Sequence, residues 1–272
     1  MLAILFGVLV GLSLGLTGGG GSIIAVPLLI FGLQVPPLQA TTISLAAVAA
    51  TSVYGSIIAG TAKAIEWRAA IIMAVAGMMT APAGVRLGHA VPSQYIVRGF
   101  AVLMFVVALI MAIRVWKSPE SAGIVRAGLI NELEQDSSAV CRLDENSMLR
   151  LTTPCGAVLF LAGMATGTLS GFFGVGGGFL IVPALTFVTQ LSIHRAVASS
   201  LLIISLVGLS GVGSAIWQGR EIPLALTVFF VLGGITGMFL GQRIARSVSG
   251  LLLQKIFITI IVLVALSSFL LA

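Results

Sequence analysis

The fold is decided by Gly174-Val175-Gly176-Gly177-Gly178, a glycine run that Pro183 follows five residues later. The same signal occurs 156 positions earlier, where Gly18-Gly19-Gly20-Gly21 precedes Pro27. Further residues recur at this offset: Gly11 and Gly167, Gly15 and Gly171, Gln34 and Gln190, Ala40 and Ala196, Ser44 and Ser200, Gly55 and Gly211, Gly77 and Gly233. The chain is therefore predicted to consist of two related halves.

The composition is that of an integral membrane protein. Of the 272 residues, 58% are hydrophobic and 8% are charged, whereas a soluble domain carries about 25% charged residues. The formal net charge is +6, but the basic residues stand singly at the ends of apolar stretches, as topology anchors do. No basic run with interleaved aromatic residues suggests a nucleic-acid partner, so the expected partners are the bilayer and a small ligand.

The apolar segments give both halves the same plan. The first transmembrane repeat, residues 1–116, contains segments 1–16, 22–34, 38–61, 69–90 and 93–115, the fourth interrupted at 81–84 by Pro82. The second, residues 151–272, contains segments 154–173, 179–190, 194–217, 222–245 and 250–271. Residues 117–150 hold six of the eight acidic residues and are predicted to be a solvated linker. The N-terminus lacks a basic n-region and an A-x-A site, so it is interpreted as the first helix.

The distribution of Lys and Arg selects the topology. Segments 22–34 and 179–190 are short, since thirteen residues reach about 20 Å of a roughly 30 Å hydrocarbon core, so each either crosses with its extended glycines or is re-entrant. Ten spans place eleven Lys and Arg on one side and three on the other; eight spans divide them eight to six. The positive-inside rule favours ten spans, as two inverted five-helix repeats with both termini outside and the linker in the cytoplasm. The predicted fold is an all-α membrane protein with glycine-broken helices.

Three enzymatic interpretations of the small residues fail. A dinucleotide fingerprint needs G-x-G-x-x-G, and Phe179 stands at its sixth position; a phosphate loop needs a lysine that is absent here. Ser210 in Gly208-Leu209-Ser210-Gly211 resembles a rhomboid protease serine, but both histidines of the chain precede it. Cys141 and Cys155 form neither a CxxC nor a metal spacing and are expected to be free thiols in a reducing compartment. No catalytic residue, metal or cofactor is predicted.

The two glycine runs are instead typical of a transporter binding site. We call residues 17–21 the first break and residues 174–178 the second break. Non-helical backbone at membrane depth is tolerated only inside protein or beside a wet cavity, and matching breaks in two halves point to the substrate site. Free N–H groups and the positive end of the following helix can hold an anion without a buried cation.

The candidate substrate-binding residues lie in the breaks and on the neighbouring helix starts. They are Thr17, Gly18, Gly20, Gly21, Gln34, Thr41, Thr42, Ser44, Ser170, Gly174, Gly176, Gly177, Gly178, Gln190, His194, Arg195, Ser199 and Ser200. Each hydroxyl has an alternative, since Ser and Thr also bond the carbonyls of their own helix. A cap is an equal alternative for the two glutamines, and His194-Arg195 either meets the anion at the cytoplasmic mouth or anchors the topology.

The stretch Gly167-Thr168-Leu169-Ser170-Gly171-Phe172-Phe173, continuing through the second break to Pro183, resembles the signature of the TauE/SafE family of membrane permeases. The duplicated glycine break, the acidic linker and the motifs Gly84-Val85-Arg86-Leu87 and Gly241-Gln242-Arg243-Ile244 extend the resemblance over nearly the whole chain. The first copy departs from the pattern, with Thr17 and Gly19 in place of Phe173 and Val175. Where members often have Gly-Thr-Ser, this chain has Thr42-Ile43-Ser44 and Ala198-Ser199-Ser200.

The resemblance implies a secondary transporter, an exporter of sulfite, an organosulfonate or another small sulfur-containing anion, in the cell inner membrane. A passive anion channel is the alternative, because nothing in the sequence demonstrates coupling. No ATP-binding motif is present, and a homodimer is an open possibility.

Overall fold

A computed structural model describes residues 1–62, 64–92, 152–189, 191, 193–219 and 223–247, together with Cys141, Thr259 and scattered positions between 95 and 109. The predicted fifth and tenth segments, and the linker apart from Cys141, therefore lie largely outside the described residues. Every named element in the described ranges is helical.

The first half begins with α1 (Leu2–Thr17), followed by α2 (Gly20–Pro27), a π-helical turn (Leu28–Gly32), α3 (Pro37–Thr61) and α4 (Trp67–Ala90). The second half contains α5 (Thr153–Phe173), α6 (Gly178–Val188), α7 (Ile193–Trp217) and α8 (Leu224–Ser247). By length and apolar composition, the five helices α3, α4, α5, α7 and α8 can cross a membrane, while α1 and the segment Gly21–Gly32 are shorter. The described residues are thus helical, with the several membrane-crossing helices of a multi-pass membrane protein.

Both breaks start with the same backbone device. α1 ends at Gly18, whose φ is 71° and whose N–H bonds the Leu14 carbonyl at 2.7 Å. α5 ends at Gly174, whose φ is 67° and whose N–H bonds the Ser170 carbonyl at 2.9 Å. A left-handed residue closes a helix in this way, and glycine adopts it without a Cβ penalty. The helix ends therefore fall where the glycine runs predicted them.

Two glycine stripes hold the helices together across the halves. A Cβ added to the α1 stripe would collide with carbonyls of α8, and one added to the α5 stripe would collide with carbonyls of α4. The contacts are Gly7 with Phe230, Gly11 with Gly234 and Gly15 with Met238; and Gly163 with Met73, Gly167 with Gly77 and Gly171 with Ala81. Small residues allow this close backbone approach in lipid. Residue numbers rise together in each set, so both helix pairs run parallel.

The helices α3 and α7 form the centre of the molecule and run in opposite directions. Gly55 of α3 lies against Leu201 of α7, and Gly211 of α7 lies against Leu45 of α3. These two contacts join equivalent residues of the two halves, because both pairs of positions are related by the 156-residue offset. The core of buried apolar side chains includes Val48 and Ile204 of this pair.

The predicted interruption of the fourth segment at 81–84 is wrong, because α4 continues as a helix through Pro82 to Ala90. A proline cannot donate to the carbonyl four residues earlier, which here belongs to Met78. That carbonyl accepts a hydrogen bond from Ser210 Oγ of α7 at 2.9 Å. A hydroxyl from a neighbouring helix thus replaces the missing backbone donor and keeps the proline inside the span.

The prediction of free thiols is also wrong, since Cys141 and Cys155 form a disulfide. Cys155 lies in the first turn of α5, and Cys141 is held beside it by backbone pairing with the end of α6. The Cys141 N–H bonds the Val188 carbonyl at 3.3 Å. The absence of a CxxC motif could not reveal this pairing, because it depends on tertiary contacts between the linker and the second half.

Candidate functional site

The two breaks meet between the midpoints of α3 and α7. A Cβ at Gly176 would lie 2.8 Å from Val48 Cγ1 and 3.4 Å from Ile204 Cγ2. Val48 and Ile204 are equivalent residues near the middle of their helices. A Cβ at Gly178 would lie 2.9 Å from Cα of Gly19, so the backbones of the two breaks are in contact. Glycines of both predicted breaks are therefore brought together at one place.

Each break also packs on the central helix of the opposite half. Gly18 lies against Val197 and Ser200 of α7, and Gly174 lies against Thr41 of α3. Thr41 and Val197 are equivalent positions at the 156-residue offset. Ser200 Oγ donates a hydrogen bond to the Gly18 carbonyl at 2.9 Å. The first break is thus fixed to α7 by a hydroxyl.

The second break lies close to hydroxyls that lack a partner. Ser44 and Ser170 are buried, and among the described residues neither Oγ atom has a hydrogen-bond partner. Ser170 Oγ lies 3.4 Å from the place that a Cβ on Gly177 would take. Ser44 shares the α3 face of Thr41 and Val48, which contact the break, because residues three and four apart lie on one side of a helix. Two buried donors without partners beside an open backbone are what a bound anion could use.

Most of the other predicted hydroxyls are satisfied within their own helices. Thr17 Oγ1 donates to the Ser13 carbonyl at 2.7 Å. Thr41 and Thr42 both donate to the Leu38 carbonyl, at 2.8 and 3.1 Å. Ser200 donates to the Val197 carbonyl at 2.8 Å as well as to Gly18. For these side chains the alternative interpretation holds, in which the hydroxyl bonds a carbonyl of its own helix. They line the region without offering an unpaired donor.

One polar cluster near the site was not predicted. Arg195 Nη2 forms an ion pair with Glu66 Oε2 at 2.7 Å, with side-chain exposures of 33% and 6%. The Glu66 N–H also donates to Ser199 Oγ at 2.8 Å, and Ser199 is fully buried. The sequence carried one signal for Glu66: it and Glu221 are the acidic residues outside the linker. Arg195 and Ser199, both predicted site residues, are therefore joined through a carboxylate residue of the other half.

The remaining predicted residues lie apart from this centre or outside the description. Gln34 is exposed, with φ 52°, beyond the π-helical turn and on the order of 20 Å along the helix from the first break. His194 is half-buried in the first turn of α7, and Gln190 lies outside the described residues. Gly21 packs its backbone on α1 at Val10 and Leu14, and Gly20 begins α2.

A small, mostly apolar pocket lies beside the second break, at the start of α3. Phe172, Phe173 and Phe100 contribute to its wall, and Thr41 supplies a hydroxyl. The rings of Phe173 and Phe100 lie 5.6 Å apart between centroids. Glu66 follows the other end of α3, about 35 Å away along that helix. One end of the bundle thus has a pocket next to a break, and the other has an ion pair.

The comparison with known families agrees with this architecture. The model of the family described as sulfite exporter TauE/SafE matches residues 3–268. The chain belongs to this family. It is therefore a membrane transporter, and the resemblance inferred from its glycine motifs is confirmed.

Curated relatives cover nearly the same length. A "Probable membrane transporter protein" of Xylella fastidiosa (strain 9a5c) is 36% identical over 266 residues, covering 96% of this chain and 91% of the relative. One from Xylella fastidiosa (strain Temecula1 / ATCC 700964) is 34% identical, with the same coverage. "Probable membrane transporter protein YdhB" of Bacillus subtilis (strain 168) is 26% identical, covering 95% of this chain and 96% of the relative. No solved structure matches the chain.

Proposed function

We propose that this TauE/SafE member is a secondary transporter that exports a small sulfur-containing anion, sulfite or an organosulfonate, across the inner membrane. The observation that carries the proposal is the meeting of the two breaks between α3 and α7, next to the unpartnered hydroxyls of Ser44 and Ser170. The family description supports the choice of anion. The site is formed from backbone and hydroxyl donors.

An anion at the second break would be held mainly by N–H groups. The helix α6 begins at Gly178, and the N–H groups of Leu180 and Ile181 already bond the Gly177 carbonyl, at 3.0 and 3.1 Å. The N–H groups of Gly178 and Phe179 are therefore the ones left for a ligand at the start of this helix. They point toward the break and carry the positive end of the helix dipole. A buried arginine or lysine at the bilayer centre would cost roughly 2.5–3.5 kcal/mol or more, which this arrangement avoids. Ser44 and Ser170 would then donate to the remaining oxygens of the ligand.

We further propose that the halves are inverted repeats that move against each other in alternating access. The support is the direction of the contacts: the equivalent helices α3 and α7 run antiparallel, and the first helix of each half packs parallel to the fourth of the other. Inverted repeats with sites at their interface are a common transporter plan. The breaks would act as hinges, since each ends a helix at a glycine with positive φ.

We propose that the linker lies in the cytoplasm, because the count of eleven Lys and Arg against three favours this orientation. The disulfide of Cys141 with Cys155 opposes it, because disulfides persist mainly in oxidising compartments. The two orientations can be distinguished by brief reduction of this disulfide, followed by labelling with a membrane-impermeant thiol reagent. Reduced intact cells should remain unlabelled while inverted vesicles react, and labelling of intact cells would reverse the proposed orientation.

The transport test uses purified protein in liposomes. Sulfite, taurine and sulfate are loaded on one side, and flux is measured with and without an imposed proton gradient. We expect accumulation of sulfite or taurine against its own gradient. Flux that only equalises concentrations under every imposed gradient would instead identify a passive anion channel, and flux of none of the three anions would refute the substrate class.

A further inference from the structure

The ion pair of Glu66 with Arg195 lies at one end of the bundle, beside the part of α7 that contacts the first break. Glu66 is tied to α7 twice, through its carboxylate to Arg195 and through its N–H to Ser199. Its side chain is 6% exposed, so water screens the pair less than it would on an open surface. The turn between α3 and α4 is therefore fastened to the start of α7, which belongs to the other half.

The same two turns of α7 also hold the first break. Val197 and Ser200 contact Gly18, while Arg195 and Ser199 bind Glu66. Because these residues lie within six positions of one helix, α7 cannot move away from Glu66 without changing its contact with the break. Release of the ion pair is thus mechanically connected to the proposed site.

At the opposite end of the molecule, the described residues do not repeat this ion pair. At the 156-residue offset, Gln39 of α3 takes the place of Arg195, and Ile43 takes the place of Ser199. Neither a glutamine nor an isoleucine can form an ion pair, and the pocket beside Thr41 lies at this end. Among the described residues the pair is therefore found at one end, and the repeat alone does not account for it.

We propose that the Glu66 carboxylate is a built-in competitor of the transported anion for Arg195, and that their ion pair is the gate at this end. The inference rests on the proposed function in taking an anion as the substrate. When an anion arrives from this side, Arg195 would lose its charge-assisted hydrogen bond to Glu66 and gain one to the anion. The net change in free energy is therefore small. Binding would remove one of the two ties between the turn at Glu66 and α7, which makes separation of the halves at this end easier.

The first test is equilibrium binding of sulfite and taurine to purified protein. Glu66→Gln removes the competing charge and keeps the N–H bond to Ser199, so both anions should bind about fivefold more tightly. Arg195→Gln should weaken binding. Arg68→Gln is the matched control, because Arg68 is exposed on the first turn of α4, and its affinity should stay within about twofold of the wild type. Unchanged or weaker binding by Glu66→Gln would overturn the proposal.

The second test measures the opening of the gate in the absence of substrate. Both native cysteines are paired, so Val197→Cys introduces a thiol beside Gly18 that a soluble reagent reaches only when this end opens. Glu66→Gln should raise its labelling rate about fivefold, and the exchange Glu66→Arg with Arg195→Glu should restore the slow rate. A rate that Glu66→Gln leaves unchanged, or that the exchange does not restore, would refute the gate. If the gate opens as expected but the wild type binds neither anion, the substrate proposal fails and the gate is upheld.

Discussion

Replacing Ser210 by alanine should destabilise the protein through a proline on another helix. Ser210 Oγ donates to the Met78 carbonyl at 2.9 Å, and Pro82 has no N–H to offer that carbonyl. In Ser210→Ala the carbonyl loses this donor within the bundle. Hydrogen bonds between membrane helices average about 0.6 kcal/mol and reach about 1.7 kcal/mol. Because the backbone donor is also missing, we expect a loss in the upper part of this range.

A double-mutant cycle tests the reasoning. Pro82→Ala supplies an N–H that can bond the Met78 carbonyl within α4, so Ser210→Ala in that background should cost about 0 kcal/mol. Ser205→Ala is the control on the same helix, because Ser205 Oγ donates only a local bond to the Leu202 carbonyl at 2.8 Å. Its cost should be below about 0.3 kcal/mol.

The assay is unfolding in mixed micelles of increasing denaturing-detergent fraction, followed by circular dichroism. The free energies of unfolding of the wild type, the two single variants and the double variant give the coupling between positions 82 and 210. If Ser210→Ala costs the same with proline or alanine at position 82, the hydroxyl does not replace the backbone donor, and the explanation of the continuous α4 is wrong.

Further predictions concern the breaks and the disulfide. Gly176→Leu and Gly177→Leu should abolish transport in liposomes, because their Cβ atoms would meet Val48 and Ser170, while both variants still insert into the membrane. Normal uptake by either variant would show that the break serves helix packing and not transport. Ser44→Ala and Ser170→Ala should each weaken anion binding by about 0.5–1.5 kcal/mol. Thr42→Ala, whose hydroxyl bonds Leu38, should leave binding unchanged, and equal effects at all three positions would contradict the assignment. Cys141→Ser should lower the free energy of unfolding by about 3 kcal/mol in oxidised protein, as expected for a loop of about 15 residues, and should not lower it in reduced protein. An equal loss in both would show that the disulfide with Cys155 is not the cause.

Local features of the fold could be predicted from the sequence. The helix ends at Gly18 and Gly174 follow from glycine and proline in the chain itself, and so does the division into two related halves. The glycines that begin at Gly7 and at Gly163 recur every four residues in the sequence, a spacing that puts them on one helix face and favours a close approach of backbones. They did not predict the partner, because the choice of α8 for α1 depends on how the whole bundle closes.

Two features that escaped prediction join distant parts of the chain. Pro82 was expected to break a helix. Ser210, which supplies the hydrogen bond that Pro82 cannot make, lies 128 residues further on. Glu66 lies just after the predicted segment 38–61, and its partner Arg195 lies 129 residues away. The hydroxyls show the same limit, since sequence could not distinguish Thr42, which bonds its own helix, from Ser44, which has no partner among the described residues.

The cross-packing of the glycine stripes has a consequence for biosynthesis. When α5 emerges from the ribosome, its partner α4 is already in the membrane. In contrast, α1 must wait for α8, and 223 residues separate Gly7 from Phe230. At about 5–20 residues per second, α1 spends roughly 10–45 s without its partner. During that interval its stripe of small residues is open to any helix of similar surface, including α1 of a second nascent chain. Slow or truncated synthesis should therefore favour mispaired copies over correctly closed monomers.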